Sequence, residues 1–240
     1  MQQKVEQSTK DGDLLLSLER KRRDYIFLMV FMILSFIGIA VLRKFYAAND
    51  DSLNPSNFFA FWATAAWYVF MYRITASYYS NRWILVSYAG LLTFQLLFNM
   101  WIHRDSHTAI SSLVVPAIIS YLANLTGFGI VFYIMLKDIF SRRHDLGYAL
   151  LGATNIYFMV PVIFSYVFCL VAIHDPSLVQ ADPMAIRTLL FNCFDYGWYV
   201  LAGLDPPGEM YGDVIRSIAI LESISASLFM VFIIGRLMTK

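Results

Sequence analysis

Long apolar blocks separated by short polar stretches constrain this chain more than any other feature. They fall at about Tyr25–Tyr46, Phe58–Ala76, Trp83–Trp101, Leu113–Leu136, Tyr148–Ile173 and Val214–Leu237. At 1.5 Å of rise per residue each reaches roughly 30 Å or more, the thickness of a bilayer's hydrocarbon core. Inside lipid a backbone must satisfy its own polar groups, so blocks of this length cross as helices. Hydrophobic residues make up 59% of the chain and aromatics 17%, above the usual share of soluble domains. The sequence therefore predicts an all-α membrane protein with six transmembrane helices.

Residues 1–23 are polar and end in Arg20-Lys21-Arg22-Arg23. The apolar run that follows is too long for a cleaved secretory signal, so the first helix is expected to stay as a span. Residues 13–23 read either as a short amphipathic helix on the membrane surface, with Leu14, Leu15, Leu16 and Leu18 toward lipid, or as a solvated basic anchor. After the first span, residues 49–55 form a turn-rich stretch that ends in helix-start chemistry. Trp83 and Trp101 bracket the third span, where an amphipathic ring suits the interface.

With the N-terminus inside, thirteen Lys and Arg lie on the inner side and five on the outer: Arg43, Lys44, Arg104, Arg187 and Arg216. This fits the positive-inside bias and places both termini in the cytoplasm. The stretch Met184–Leu204 is apolar again. A seventh crossing there would move Arg236 and Lys240 to the wrong face, so it is expected to enter the membrane and return. The connection holding it carries Asp175, Asp182, Asp195, Asp205, Glu209 and Asp213 against the single base Arg187. Such acidity is either a vestibule that concentrates cations or an ordinary solvated outer loop.

Two patches at the end of the chain carry a resemblance. Tyr211-Gly212-Asp213 is similar to the end of the T-V-G-Y-G-D filter, and Arg216-Ser217-Ile218-Ala219-Ile220-Leu221-Glu222 through Ile234-Gly235-Arg236-Leu237 is similar to an inner helix. Together they resemble the pore module of the potassium-channel superfamily, in its two-helix bacterial form, over about the last ninety residues. The resemblance implies a re-entrant pore helix and loop between helices five and six, a homotetramer around a central pore, monovalent cations as permeant species and a bacterial inner membrane. The chain is thus read in three parts: a basic cytoplasmic segment (1–23), a four-helix accessory bundle (24–145) and, by the resemblance, the pore module (146–240).

The filter departs from the family pattern. Met210 stands where the family has a glycine, preceded by Gly208 and Glu209, and Leu204-Asp205-Pro206-Pro207-Gly208 reads as an insertion. Stacked carbonyl rings need conformations that glycine adopts easily and methionine does not, and two prolines stiffen the loop and remove two donors. Asp205, Glu209, Met210, Tyr211, Gly212 and Asp213 are the candidate pore-mouth residues. Asp195 and Glu222 are candidate supports of the pore loop, because a lone carboxylate within a span must be paired or wet.

Other polar residues inside the spans are candidates too. Gln95, Asn99 and His103 are spaced by four and share one helical face. That stripe reads as interhelical hydrogen bonding, with Asn124 and Asn155 as partners, or as a contact with a pore or ligand. His103 and His107 are also four apart, but no third ligand lies nearby, so no metal site is assigned. Leu113–Leu136 holds no Arg or Lys, which argues against a voltage sensor. Cys169 and Cys193 imply no disulfide framework.

No nucleophile with a base, no phosphate loop and no metal set appears, so the chain does not read as an enzyme; no cofactor and no nucleic-acid partner are expected. The expectation is a cation channel with a non-standard filter. The alternative is a non-conducting membrane scaffold or sensor that retains the channel fold.

Overall fold

The computed structural model describes residues 19–34, 37, 55–79, 81–102, 110–140, 146–174, 186–204 and 212–238. All regular structure among them is helical: α1 (residues 19–34), α2 (Pro55–Tyr78), α3 (Arg82–Ile102), α4 (Ile110–Ile139), α5 (Leu146–His174), α6 (Ile186–Leu201) and α7 (Asp213–Met238). Among the described residues, four helices are long and apolar enough to cross a membrane: Arg82–Trp101, Val114–Ile139, Leu146–His174 and Asp213–Gly235. The chain is a multi-pass integral membrane protein.

From α2 on, the long helices overrun the apolar blocks by one to three residues at each end. The flanking polar residues find partners within the bundle, as at Asp138 in the last turn of α4, so the helix continues through them. α1 likewise runs through the Arg20–Arg23 cluster and residue 23 without a break. Proline at the start of α2 costs nothing, since the first turn has no partner for its missing N–H. Pro161 lies in the middle of α5 and removes one helical hydrogen bond there; Ser165 Oγ donates to its carbonyl at 2.5 Å.

The fold is organised around α5. It packs against α4, α6 and α7, and 61% of its most apolar stretch is buried, against 17% for α3 and for α7. Small residues allow the close approach. A side chain at Gly152 would stand 2.9 Å from Ile139 Cγ1 and 3.0 Å from the Tyr25 ring, and a side chain at Gly197 would stand 2.9 Å from both the Pro161 carbonyl and Ser165 Oγ. Gly152 thus admits α1 and α4 to one part of α5, and Gly197 admits α6 to another. α2, α3 and α4 pack on one another, and α6 and α7 close the α5 side.

Candidate functional site

The α5–α6–α7 unit places a short helix between two long ones, all three in mutual contact. At sixteen residues α6 rises about 24 Å, short of a hydrocarbon core of about 30 Å. It ends at Gly203, whose φ of 66° is left-handed; the Gly203 amide reaches the Val200 carbonyl at 3.1 Å and the Leu204 amide reaches the Tyr199 carbonyl at 3.0 Å. This glycine cap satisfies the last carbonyls and stops the helix. The sequence places Pro206 and Pro207 three and four residues after it.

On α7 the buried positions are Ile215, Glu222, Ala226 and Ile233, with Ala219 and Phe229 partly buried between them. They alternate spacings of four and three residues, which draws a single narrow seam along the helix. Glu222 sits in the middle of that seam, fully buried, and neither carboxylate oxygen has a hydrogen-bond partner among the described residues. It faces α6, where a side chain at Gly197 would come 3.6 Å from its Oε1. Elsewhere α7 exposes large apolar side chains, including Ile220, Leu221, Ile224, Leu228 and Val231, together with the polar Arg216, Ser217, Ser223, Ser225 and Ser227.

Asp195 is half-buried on α6. Gly212 has a φ of 134°, a backbone state that favours glycine, and its carbonyl accepts the Arg216 amide at 3.0 Å to open α7. Asp213 follows in the first turn, exposed, where a negative charge suits the helix N-terminus. Asp205, Glu209, Met210 and Tyr211 lie outside the described residues, as does His103. Cys169 and Cys193 are buried thiols that meet across α5 and α6.

Gln95 and Asn99 both turn to α4. Gln95 donates to the Ala123 carbonyl, and its side-chain amide fills the space beside Gly127 at 3.4 Å. Asn99 donates to the Tyr68 hydroxyl at 2.9 Å and accepts from Ser120; Tyr68 in turn donates to Asn124, whose amide reaches the Ser120 carbonyl at 2.9 Å. Three helices are tied together by side chains that would otherwise be stranded in an apolar medium. Asn155 takes no part: it donates to the Tyr25 carbonyl at 2.9 Å, because it lies two turns beyond Tyr148 on the face of α5 that meets α1.

A second polar node was not visible in the sequence. Tyr25 and Tyr148 both donate to Asp138 Oδ2, at 3.1 and 2.5 Å. Their rings stack with centroids 5.1 Å apart. The Tyr78 hydroxyl lies 3.1 Å from that of Tyr25 and 3.4 Å from that of Tyr148, and its proton serves one of them. Lys21 approaches Asp138 Oδ1 at 3.7 Å and stands 3.9 Å above the Tyr78 ring, while Arg73 pairs with the buried Asp24 at 2.6 Å. Four helices, α1, α2, α4 and α5, converge on one carboxylate. Its only signal in the sequence is an acidic residue just past the end of an apolar block.

Among the described residues, no three His, Cys, Asp or Glu side chains come together as a metal set. Compared with models of protein families, with characterised proteins and with solved structures, the chain matches none.

Proposed function

We propose that the last part of the chain, residues 146–240, is a pore module of the potassium-channel kind, and that four copies surround a central pathway for cations. The observation that carries this reading is the short α6 held between the long α5 and α7, with Gly197 and Gly203 fixing how closely it packs and where it stops. In this reading α6 is a re-entrant pore helix, α5 and α7 are the outer and inner helices, and Glu222 supports the loop from behind. The exposed apolar faces of α7 meet lipid and neighbouring copies. α1 and α2 add two crossings to the four apolar helices, giving six. The basic end of the bundle then faces the cytoplasm of a bacterial inner membrane, with both termini on that side.

The filter is not of the potassium-selective sequence, and Met210 with the Pro206-Pro207 insertion favours a second reading in which the fold is kept as a non-conducting scaffold or sensor. Ion flux into proteoliposomes separates the two. A channel passes potassium or sodium but not chloride, and loses flux in Glu209→Gln and Asp205→Asn. A folded, oligomeric protein that passes no ion rejects conduction, and a monomer in bilayers rejects the fourfold pore.

A further inference from the structure

Five helices meet at one boundary of the bundle: the first described turn of α1, the end of α2, the start of α3, the end of α4 and the start of α5. The Lys21–Asp138 and Arg73–Asp24 pairs and the tyrosine node tie α1, α2, α4 and α5 together there, and α3 begins four residues after α2 ends. Within the described residues this end carries seven basic side chains, Arg20, Lys21, Arg22, Arg23, Arg73, Arg82 and Lys137, against three carboxylates, Glu19, Asp24 and Asp138. Two of those carboxylates are buried and already engaged by Lys21 and Arg73.

Among the described residues, the surface at this end carries excess positive charge. Arg20, Arg22, Arg23, Arg82 and Lys137 are exposed, and none forms an ion pair among the described residues. Trp83, 81% exposed beside Arg82, independently marks the level: a ring of this kind sits where acyl chains give way to headgroups. Long basic side chains at helix ends reach from that level into the headgroup layer. The apolar spans fix the depth, and the buried carboxylates draw α1 against the bundle, so that its arginines project outward at that depth.

We propose that this end of the bundle is a binding surface for the headgroups of anionic phospholipids, with Arg20, Arg22 and Arg23 of α1 and Lys137 of α4 as its principal cations. A helix face of separated cations held at headgroup depth fits a layer of lipid phosphates, each cation near an anionic surface supporting about a fivefold preference. The proposal stands whether or not the pore conducts.

The test uses the full chain purified in neutral detergent, with bound lipids counted by native mass spectrometry after incubation with phosphatidylglycerol or phosphatidylcholine. The expected result is phosphatidylglycerol retained at least about fivefold over phosphatidylcholine. That preference falls to near parity in about 1 M salt, where screening acts within about 3 Å. The R20Q/R22Q/R23Q variant is expected to lose the preference and K137Q to reduce it, while R216Q, on α7 and outside the cluster, keeps it. Glycerol phosphate, the soluble headgroup, is not expected to displace the lipid at equal concentration. Equal retention of both lipids by the unmodified chain, a preference that survives the triple substitution, or an equal loss in R216Q overturns the proposal. Displacement by glycerol phosphate does so as well, assigning the surface to a soluble anion. Should the triple variant lose its helical circular dichroism, K137Q and the salt dependence decide alone.

Discussion

Tyr148 donates a 2.5 Å hydrogen bond to Asp138, joining the first turn of α5 to the last turn of α4. The same carboxylate takes Tyr25 at 3.1 Å and faces Lys21 at 3.7 Å. Removing it strands a cation and two hydroxyls at once. Asp138→Ala is expected to cost about 3 kcal/mol, and Asp138→Asn less, since an amide oxygen still accepts from the tyrosines. Thermal unfolding in detergent measures both, and equal stability of the three proteins would show that the node holds nothing.

Glu222 presents the opposite case. A fully buried carboxyl with no hydrogen-bond partner among the described residues is a cost to the fold. Glu222→Leu, of similar volume, is expected to leave stability unchanged or to raise it by about 1–3 kcal/mol. If α6 and α7 serve a pore, the same substitution abolishes ion flux. A variant that is both less stable and fully active contradicts this account.

Gly197→Ala tests how tightly α6 is seated. Its new methyl meets the Pro161 carbonyl at 2.9 Å, and a main-chain atom cannot swing aside. The expected loss is about 1–3 kcal/mol, with α6 displaced from α5. Gly90→Ala on α3, where nothing lies within 4 Å of the added carbon, is expected to be neutral or slightly stabilising. The two unfolding curves, compared side by side, check the packing directly.

Asn99→Ala leaves Tyr68 and Ser120 each short of one partner on neighbouring helices. Interhelical hydrogen bonds in membranes contribute modestly, so a loss of about 1–2 kcal/mol is expected for the pair. Asn155→Ala breaks the separate link to the Tyr25 carbonyl, and its effect should add to that of Asn99→Ala within about 0.5 kcal/mol. Strong non-additivity between them would mean that the two networks communicate.

Apolar length made the long helices legible, because a block that must cross lipid can take only one regular form. The four-residue spacing of Gln95 and Asn99 was legible for the same kind of reason, since helical geometry alone places them on one face. The tyrosine node was not. Tyr25 and Asp138 lie 113 positions apart, and nothing local in either segment indicates the other. Lys137 was informative as a marker of sidedness, yet its neighbour Asp138 carries the more consequential contact. Asn155 read as a partner of the stripe by residue type, and only the packing of α1 against α5 shows why it serves the Tyr25 backbone instead.

The position of α5 has a mechanical consequence. Tyr148 near its start is fastened to the front helices, and Ser165, about 26 Å further along, abuts Gly197 in the close approach of α6. Between them lies a single rod, weakened at one joint where Pro161 removes a hydrogen bond. A tilt imposed at the tyrosine end arrives at α6 as a sideways displacement, with Pro161 setting how much of the motion is passed on and how much is absorbed as bending.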